Sequence, residues 1–359
     1  MSITEQQILD ALRVVQDPDL HRDIVSLGFI KNIKIENAKV SFDVELTTPA
    51  CPVKELLKDQ CLREIKKIKG VKEISVNMTA QVRPLVQTGL ASLKGIKNII
   101  AVASGKGGVG KSTVAVNLAL ALAKAGSAVG LMDADIYGPS VPMMLGITER
   151  PSVIGNMIQP LEKLGLKVLS MGMLTNDDTP VIWRGPMVAG ILQQFLAQVE
   201  WGNLDYLVMD LPPGTGDAQL TLAQKAPISG AVIVTTPQDI ALLDARRGLK
   251  MFQQVQVPVL GIIENMSYFI CDGCSKKHHI FRQGGGKRVA LELGVPFLGE
   301  IPLDTRVADG GDSGKPVLLT NAEAPVSLAY QELAGRVAAA LSIMSESKKG
   351  TSTELHLKW

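Results

Sequence analysis

The segment Gly105-Lys-Gly-Gly-Val-Gly-Lys111-Ser112 combines glycines, a lysine and a hydroxyl in the order that phosphate binding requires. Glycines let backbone N–H groups wrap an anion, Lys111 reaches the outer phosphates, and Ser112 offers an oxygen to magnesium. The expected nucleotide contacts run through Gly105, Lys106, Gly107, Gly108, Val109, Gly110, Lys111, Ser112 and Thr113. Lys106 is redundant for a single phosphate cradle.

Further chemistry sits just after other apolar runs. In Leu131-Met-Asp133-Ala-Asp135-Ile-Tyr-Gly-Pro, Asp133 suits a helix cap or loop pin, and Asp135 suits orienting an attacking water. In Met209-Asp210-Leu-Pro-Pro-Gly-Thr-Gly-Asp217, Asp210 suits a magnesium-bound water. Phosphoryl transfer leaves little covalent work to the protein, so a cradle, a cation and a positioned water are sufficient. Asn265, after Ile262-Ile-Glu, reads on its own as a turn residue.

Cys271-Asp-Gly-Cys274 supplies two thiols, whereas a zinc site or a cubane iron-sulfur cluster needs about four ligands. The other two would come from His278 and His279, from Cys51 and Cys61, or from Cys271 and Cys274 of a second subunit. A catalytic dithiol and two inert thiols are the plainer alternatives. Cys51 precedes a helix with Pro52 in its expected first turn, where the dipole would favour a thiolate, while Cys61 shares an apolar stripe with Val53, Leu57 and Ile65.

These residues need elements to hold them. Residues 1–85 read as a small α+β domain: a helix Thr4–Val15, strands Phe29–Ile35 and Lys39–Leu46, a helix Val53–Ile68 and a strand Val71–Met78. Residues 86–96 read as a linker and 97–345 as one domain. Its strands are expected at Asn98–Ser104, Ala128–Asp135, Leu166–Met173, Tyr206–Leu211, Gly230–Thr236, Val259–Asn265 and Phe297–Ile301, separated by helices such as Thr113–Lys124. Alternation of this kind predicts an α/β fold with a doubly wound, mostly parallel sheet, whose ligands lie beyond the carboxyl ends of the strands. A closing helix Ala324–Ile343 and a polar, disordered tail at 346–359 follow.

The 359 residues are 46% hydrophobic and 20% charged, with a net charge of +2, which argues for an ordinary globular chain and against a nucleic-acid partner. The first residues lack a secretory signal pattern and no apolar run suits a membrane span, so the expectation is a cytoplasmic protein without a membrane partner.

The loop with Lys106 resembles the deviant P-loop ATPases, the group containing MinD and ParA, and so implies ATP, Mg2+ and a homodimer in which Lys106 reaches the facing subunit's nucleotide. The same resemblance makes Lys106, Lys111 and Asp135 the catalytic set, gives magnesium to Ser112 and Asp210, makes Asn265 an adenine reader and puts Ile301-Pro302-Leu-Asp304 beside the base. Trp183-Arg184-Gly-Pro-Met also looks familial, with Arg184 an interface, nucleotide or structural contact.

With Cys271 and Cys274 added, the order of motifs over roughly residues 95–345 is similar to the Mrp/ApbC family of iron-sulfur cluster carriers. Asp17-Pro-Asp-Leu, Ser26-Leu-Gly-Phe-Ile and Leu46-Thr-Thr-Pro-Ala-Cys51-Pro resemble the small iron-sulfur-assembly domain fused to many of them. The resemblance implies a 4Fe-4S cluster bridged by the cysteine pairs of two subunits, apo iron-sulfur proteins and cluster-assembly factors as partners, and Cys51 as an accessory thiol. Here proline is missing after Cys271 and glycine after Cys274, with Gly273 expected to restore the turn. The competing readings are a positioning or partition ATPase of the MinD/ParA kind, carrying a structural zinc or a redox pair, and a zinc-stabilised ATPase with an unrelated client. A basic amphipathic C-terminal helix, expected of the positioning reading, is not evident. Leu357-Lys-Trp359 is a frayed end or a docking tail.

Overall fold

The computed structural model describes residues 3–85, 93–136, 138–174, 190–191 and 194–349. Trp183, Arg184, Tyr137, most of the expected linker and the end of the polar tail lie outside them. The chain divides into two compact units, one running Met1–Arg83 and taking in the chain from Ala338, the other covering Pro84–Val337.

The smaller unit contains α1 (Glu5–Leu12), β1 (Ile30–Glu36), β2 (Lys39–Leu46), α2 (Lys54–Lys66) and β3 (Glu73–Ala80). Thr4 opens α1 with a capping box that also uses Gln7. β2 alternates buried and open positions and lies between β1, antiparallel, and β3, parallel. The crossover through α2 makes the second pairing parallel, and Ile8, Leu12, Phe42, Leu57, Cys61 and Ile65 close the core.

The larger unit is built on an eight-stranded sheet. Its first elements are β4 (Ile96–Ser104), α3 (Lys111–Lys124), β5 (Val129–Asp133), β6 (Leu161–Lys163), β7 (Leu166–Ser170) and β8 (Leu204–Asp210). There follow α4 (Asp217–Lys225), β9 (Gly230–Thr235), α5 (Asp239–Gln254), β10 (Val259–Glu264), β11 (Phe269–Ile270), β12 (Lys277–His278), α6 (Gly285–Glu292), β13 (Phe297–Glu300), α7 (Thr305–Asp312) and α8 (Pro325–Lys349), whose residues from Ala338 onward belong to the smaller unit. The spatial order is β6-β7-β5-β8-β4-β9-β10-β13, parallel throughout except where the short edge strand β6 runs back along β7. The expected doubly wound sheet is present, and β4, buried along nearly its whole length, lies inside it. α8 runs past the expected end at Ile343, because Ser345-Glu-Ser-Lys-Lys349 contains no proline or glycine to stop it. Among the described residues no helix is long and apolar enough to cross a membrane.

Candidate functional site

β4 delivers Gly105 at its carboxyl end, and α3 starts on Gly110 in the left-handed conformation, φ +83°, with no side chain capping it. The N–H groups of the first helical turn are thus left for an anion. Glycine is enforced at two positions by close approach. A Cβ on Gly105 would lie 2.2 Å from the Asp244 carbonyl of α5, and one on Gly110 would lie 2.3 Å from Nδ2 of Asn265. That amide donates to the Val109 carbonyl at 2.9 Å, so Asn265, from the end of β10, holds the loop in shape. Ser104 donates to the Lys106 carbonyl at 2.9 Å, while Gly107 and Gly108 have nothing within 4 Å of where a Cβ would be.

The ammonium of Lys111, only 6% exposed, is gripped by the groups expected around a metal. It donates to Asp210 at 2.6 Å and to the Ser112 hydroxyl at 3.2 Å, and lies 3.4 Å from Asp135. Oδ2 of Asp210 and Oδ1 of Asp135 are buried without a hydrogen bond. Burial pushes the Asp210 carboxyl upward against the pull of Lys111. Asp133 does different work: it accepts from the Asp135 and Val141 amides and from Ser170 Oγ, pinning the loop after β5. Burial first, and the neighbouring Asp210 second, raise its carboxyl to about 7.

Beside Asn265 opens a cavity of ≈ 340 Å³ whose walls include Thr113, Met144, Met266, Pro302 and Tyr330. Its lining is mainly apolar, which suits a ring system held between side chains. Thr113 and Pro302–Asp304 are brought together with Asn265 here, on the loop side of the sheet.

Cys271 and Cys274 lie between β11 and β12. The Cys271 amide donates to the Lys276 carbonyl at 3.0 Å and the Ser275 amide to the Cys271 carbonyl at 2.7 Å, closing a tight knuckle. Ser275, standing where glycine was missing, takes φ +57°, whereas Gly273 has no positive φ. The expected compensation by Gly273 is therefore corrected: the serine itself accepts the strained conformation. Cys271 is half-buried and Cys274 exposed, and the Gly273 and Cys274 amides pointing at Cys271 lower its thiol pKa. His278 pairs with Phe269 in the hairpin and the His279 ring lies edge-on to Tyr268 at 6.3 Å. Among the described residues no group of three or more His, Cys, Asp or Glu side chains gathers as a metal-ligand set, so the histidines do not complete a zinc site within one chain.

Cys51 reverses its expectation. α2 begins at Lys54, leaving Pro52 outside it, and burial together with Asp17 and Asp19 raises the Cys51 thiol to about 11. Desolvation outweighs the helix dipole here, so this thiol stays protonated. Cys61 is a buried core residue pushed up to about 12.

Two residues of the site carry no motif in the sequence. Glu264, fully buried, accepts from Ser267 at 2.6 Å and from the Gly286 amide at the start of α6, fixing the strand end that carries Asn265. Arg306 is gripped by Asp304 through Nε at 2.8 Å and Nη2 at 2.6 Å. An acid ending a buried strand, and an Asp-x-Arg at a helix start, were the available signals.

A family model described as NUBPL iron-transfer P-loop NTPase matches residues 95–338, and one described as an iron-sulfur cluster assembly protein matches residues 5–76. The iron-sulfur cluster carrier protein of Synechocystis is 50% identical over 350 residues, spanning 95% of this chain and 99% of its own. That of Escherichia coli is 46% identical over 331 residues, spanning 91% and 89%. Among solved structures, a nucleotide-binding protein from Archaeoglobus fulgidus in complex with ADP is 41% identical with a TM-score of 0.56, covering 62% of this chain and 89% of that one. The cell division ATPase MinD of Pyrococcus furiosus, 20% identical with a TM-score of 0.51 over 67% and 98%, shares the fold.

Proposed function

The chain belongs to the NUBPL iron-transfer P-loop NTPase family, and from that premise we propose that it is an ATP-hydrolysing iron-sulfur cluster carrier. Two copies would hold a 4Fe-4S cluster between the Cys271 and Cys274 of each and deliver it to apo iron-sulfur proteins. The observation that carries the reading is the pair of surface thiols, one with a lowered pKa, on a knuckle that has no third ligand in its own chain among the described residues. A four-thiolate cluster is completed most simply by a second copy.

The loop's N–H groups and Lys111 would bind the ATP phosphates, with Asn265 and the Pro302 cavity taking the adenine. The free acceptor atoms of Asp210 and Asp135 beside Ser112 fit a divalent cation, so Ser112 and Asp210 would hold magnesium, which neutralises phosphate charge when bound. As nucleotide enters, Lys111 leaves the carboxylates for the phosphates. Asp135 then orients the attacking water, and Lys106, half-buried and without an ion pair among the described residues, reaches across the closed homodimer. Nucleotide state thereby sets the separation of the two knuckles. Transfer is ligand exchange: client thiolates replace those of Cys271 and Cys274 and the cluster passes on without a net redox change. The exposure of Cys274, a free thiol in the cluster-ligand role, supports a reducing compartment such as the cytoplasm.

The test is anaerobic reconstitution with iron and sulfide. About four irons per dimer, lost in the Cys271→Ala, Cys274→Ala variant, is the expected result. If iron is refused while zinc binds, or if the variant keeps its cluster, the carrier reading falls and a switch ATPase takes its place.

A further inference from the structure

A second cavity, ≈ 380 Å³, opens beside the cysteine knuckle. Its lining includes Cys271, Asp272 and Ser275 from the knuckle and Asp304, Thr305 and Arg306 from the start of α7. Arg306 is the only cation lining it among the described residues. The other basic side chain whose contact is resolved nearby, Lys277, lies over the Tyr268 ring at 4.4 Å.

Arg306 is held by a two-point grip. Asp304 accepts from Nε at 2.8 Å and from Nη2 at 2.6 Å, and also from the Arg306 amide at 3.0 Å, which caps α7. The carboxylate is thus fixed by the helix start, and the planar guanidinium is fixed by the carboxylate. The fork gives two of its N–H directions to Asp304 and has Nη1 left over. Its pKa is raised, first by the Asp304 hydrogen bond and then by the charges of Asp304 and Asp272, which places the knuckle's own aspartate within electrical reach. The side chain lines the cavity and is 42% exposed, so this is an accessible guanidinium rather than a core ion pair.

The chemistry of the cargo supplies the reason for such an arrangement. A cluster held by thiolates is anionic and electron-rich at sulfur, and Asp272 adds a further negative charge to the same cavity lining. N–H donors and positive charge beside cluster sulfurs stabilise the bound and the reduced forms.

We propose that Arg306, oriented by Asp304, is a positioning residue for the cargo: it directs charge and N–H donors at the sulfur side of the Cys271 ligand and thereby sets retention and reduction potential. The assignment rests on the carrier reading. It also separates the roles of the shared segment, since Pro302, Leu303 and Asp304 line both this cavity and the one beside Asn265, whereas Arg306 lines only this one.

The experiment compares wild type, Arg306→Gln and Arg306→Lys, each loaded anaerobically and checked for folding by circular dichroism. Two quantities are read: the rate of iron loss to a ferrous chelator and the midpoint potential. Arg306→Gln is expected to lose iron on the order of 10-fold faster, the scale of a lost outer-shell contact, and to have a lower potential. Arg306→Lys keeps the charge without the fork and falls between the two. Asp304→Asn, which frees the guanidinium while leaving it charged, accelerates loss as well. A purely structural arginine would leave the potential where it was. If wild type loads and Arg306→Gln matches it in rate and potential, the role of Arg306 is overturned while the carrier reading survives. If wild type itself refuses a cluster, both fall together.

Discussion

The phosphate loop and the cysteine knuckle are served by strands of one sheet, yet they are built in opposite ways. Around Lys111 the chain has done nearly everything itself: Asp133 and Asp210 are fully buried, the loop is braced by Asn265, and an ammonium already stands among the carboxylates. Around Cys271 it has done half: two thiols, a turn closed by its own backbone, and an open face. A site that must bind the same small molecule at every cycle gains from being preorganised. On the proposed carrier reading, a site that receives and releases a cargo has to leave ligand positions for the second copy and for the client. The difference in burial is thus a difference in who completes the site.

Breaking the self-sufficient side should have the largest effect. Asp210→Asn keeps the shape but removes the charge facing Lys111 and the magnesium position, and ATP hydrolysis should fall by about 10²-fold or more, measured as phosphate release at saturating ATP. Unchanged turnover would mean that Asp210 does not serve the cation.

The thiol side can be sharpened by alkylation at pH 8 followed by peptide mass mapping. Cys271 and Cys274 should react first. Cys51, with its thiol at about 11 instead of 9.0, carries ~100-fold less thiolate and should lag accordingly. The sign for stability follows: its folded-state pKa is raised, so its contribution is intact below about pH 9 and is lost as pH rises through about 11. Rapid labelling of Cys51 in the folded protein would restore the helix-dipole expectation.

A smaller effect concerns the nucleotide-free state. With Lys111 occupying the space between Asp135 and Asp210, Mn2+ alone should bind weakly, as read by electron paramagnetic resonance. Lys111→Ala should bind it about tenfold more tightly, the scale of one charge-assisted contact. Equal affinities would show that the ammonium does not guard the site.

The phosphate site was legible because its signals are local. A buried strand, a glycine run and a helix start are contiguous in sequence, and the carboxylates sit directly after strands that any α/β sheet aligns. The burial of Cys51 was not legible because its environment is assembled from a distance: Asp17 and Asp19 come from a segment well before it in the chain, and no spacing rule reports desolvation. The strand Leu161–Lys163 was missed because three residues on a sheet edge leave no period to detect. Ser275 shows the same limit at one residue, since a glycine rule predicts where a left-handed conformation is easy and not where the surrounding hydrogen bonds will impose it. Glu264 and Arg306 acquire meaning only through partners that folding brings to them.

The knuckle is closed by its own backbone, with strands of two residues each, and is rooted where the Leu303 amide meets the Tyr268 carbonyl. It behaves as a cassette. A lineage, or an engineer, could rewrite Phe269–His278 to suit a different metal while the phosphate machinery stays untouched. On the proposed carrier reading, what is carried and what drives the carrying are then free to evolve separately.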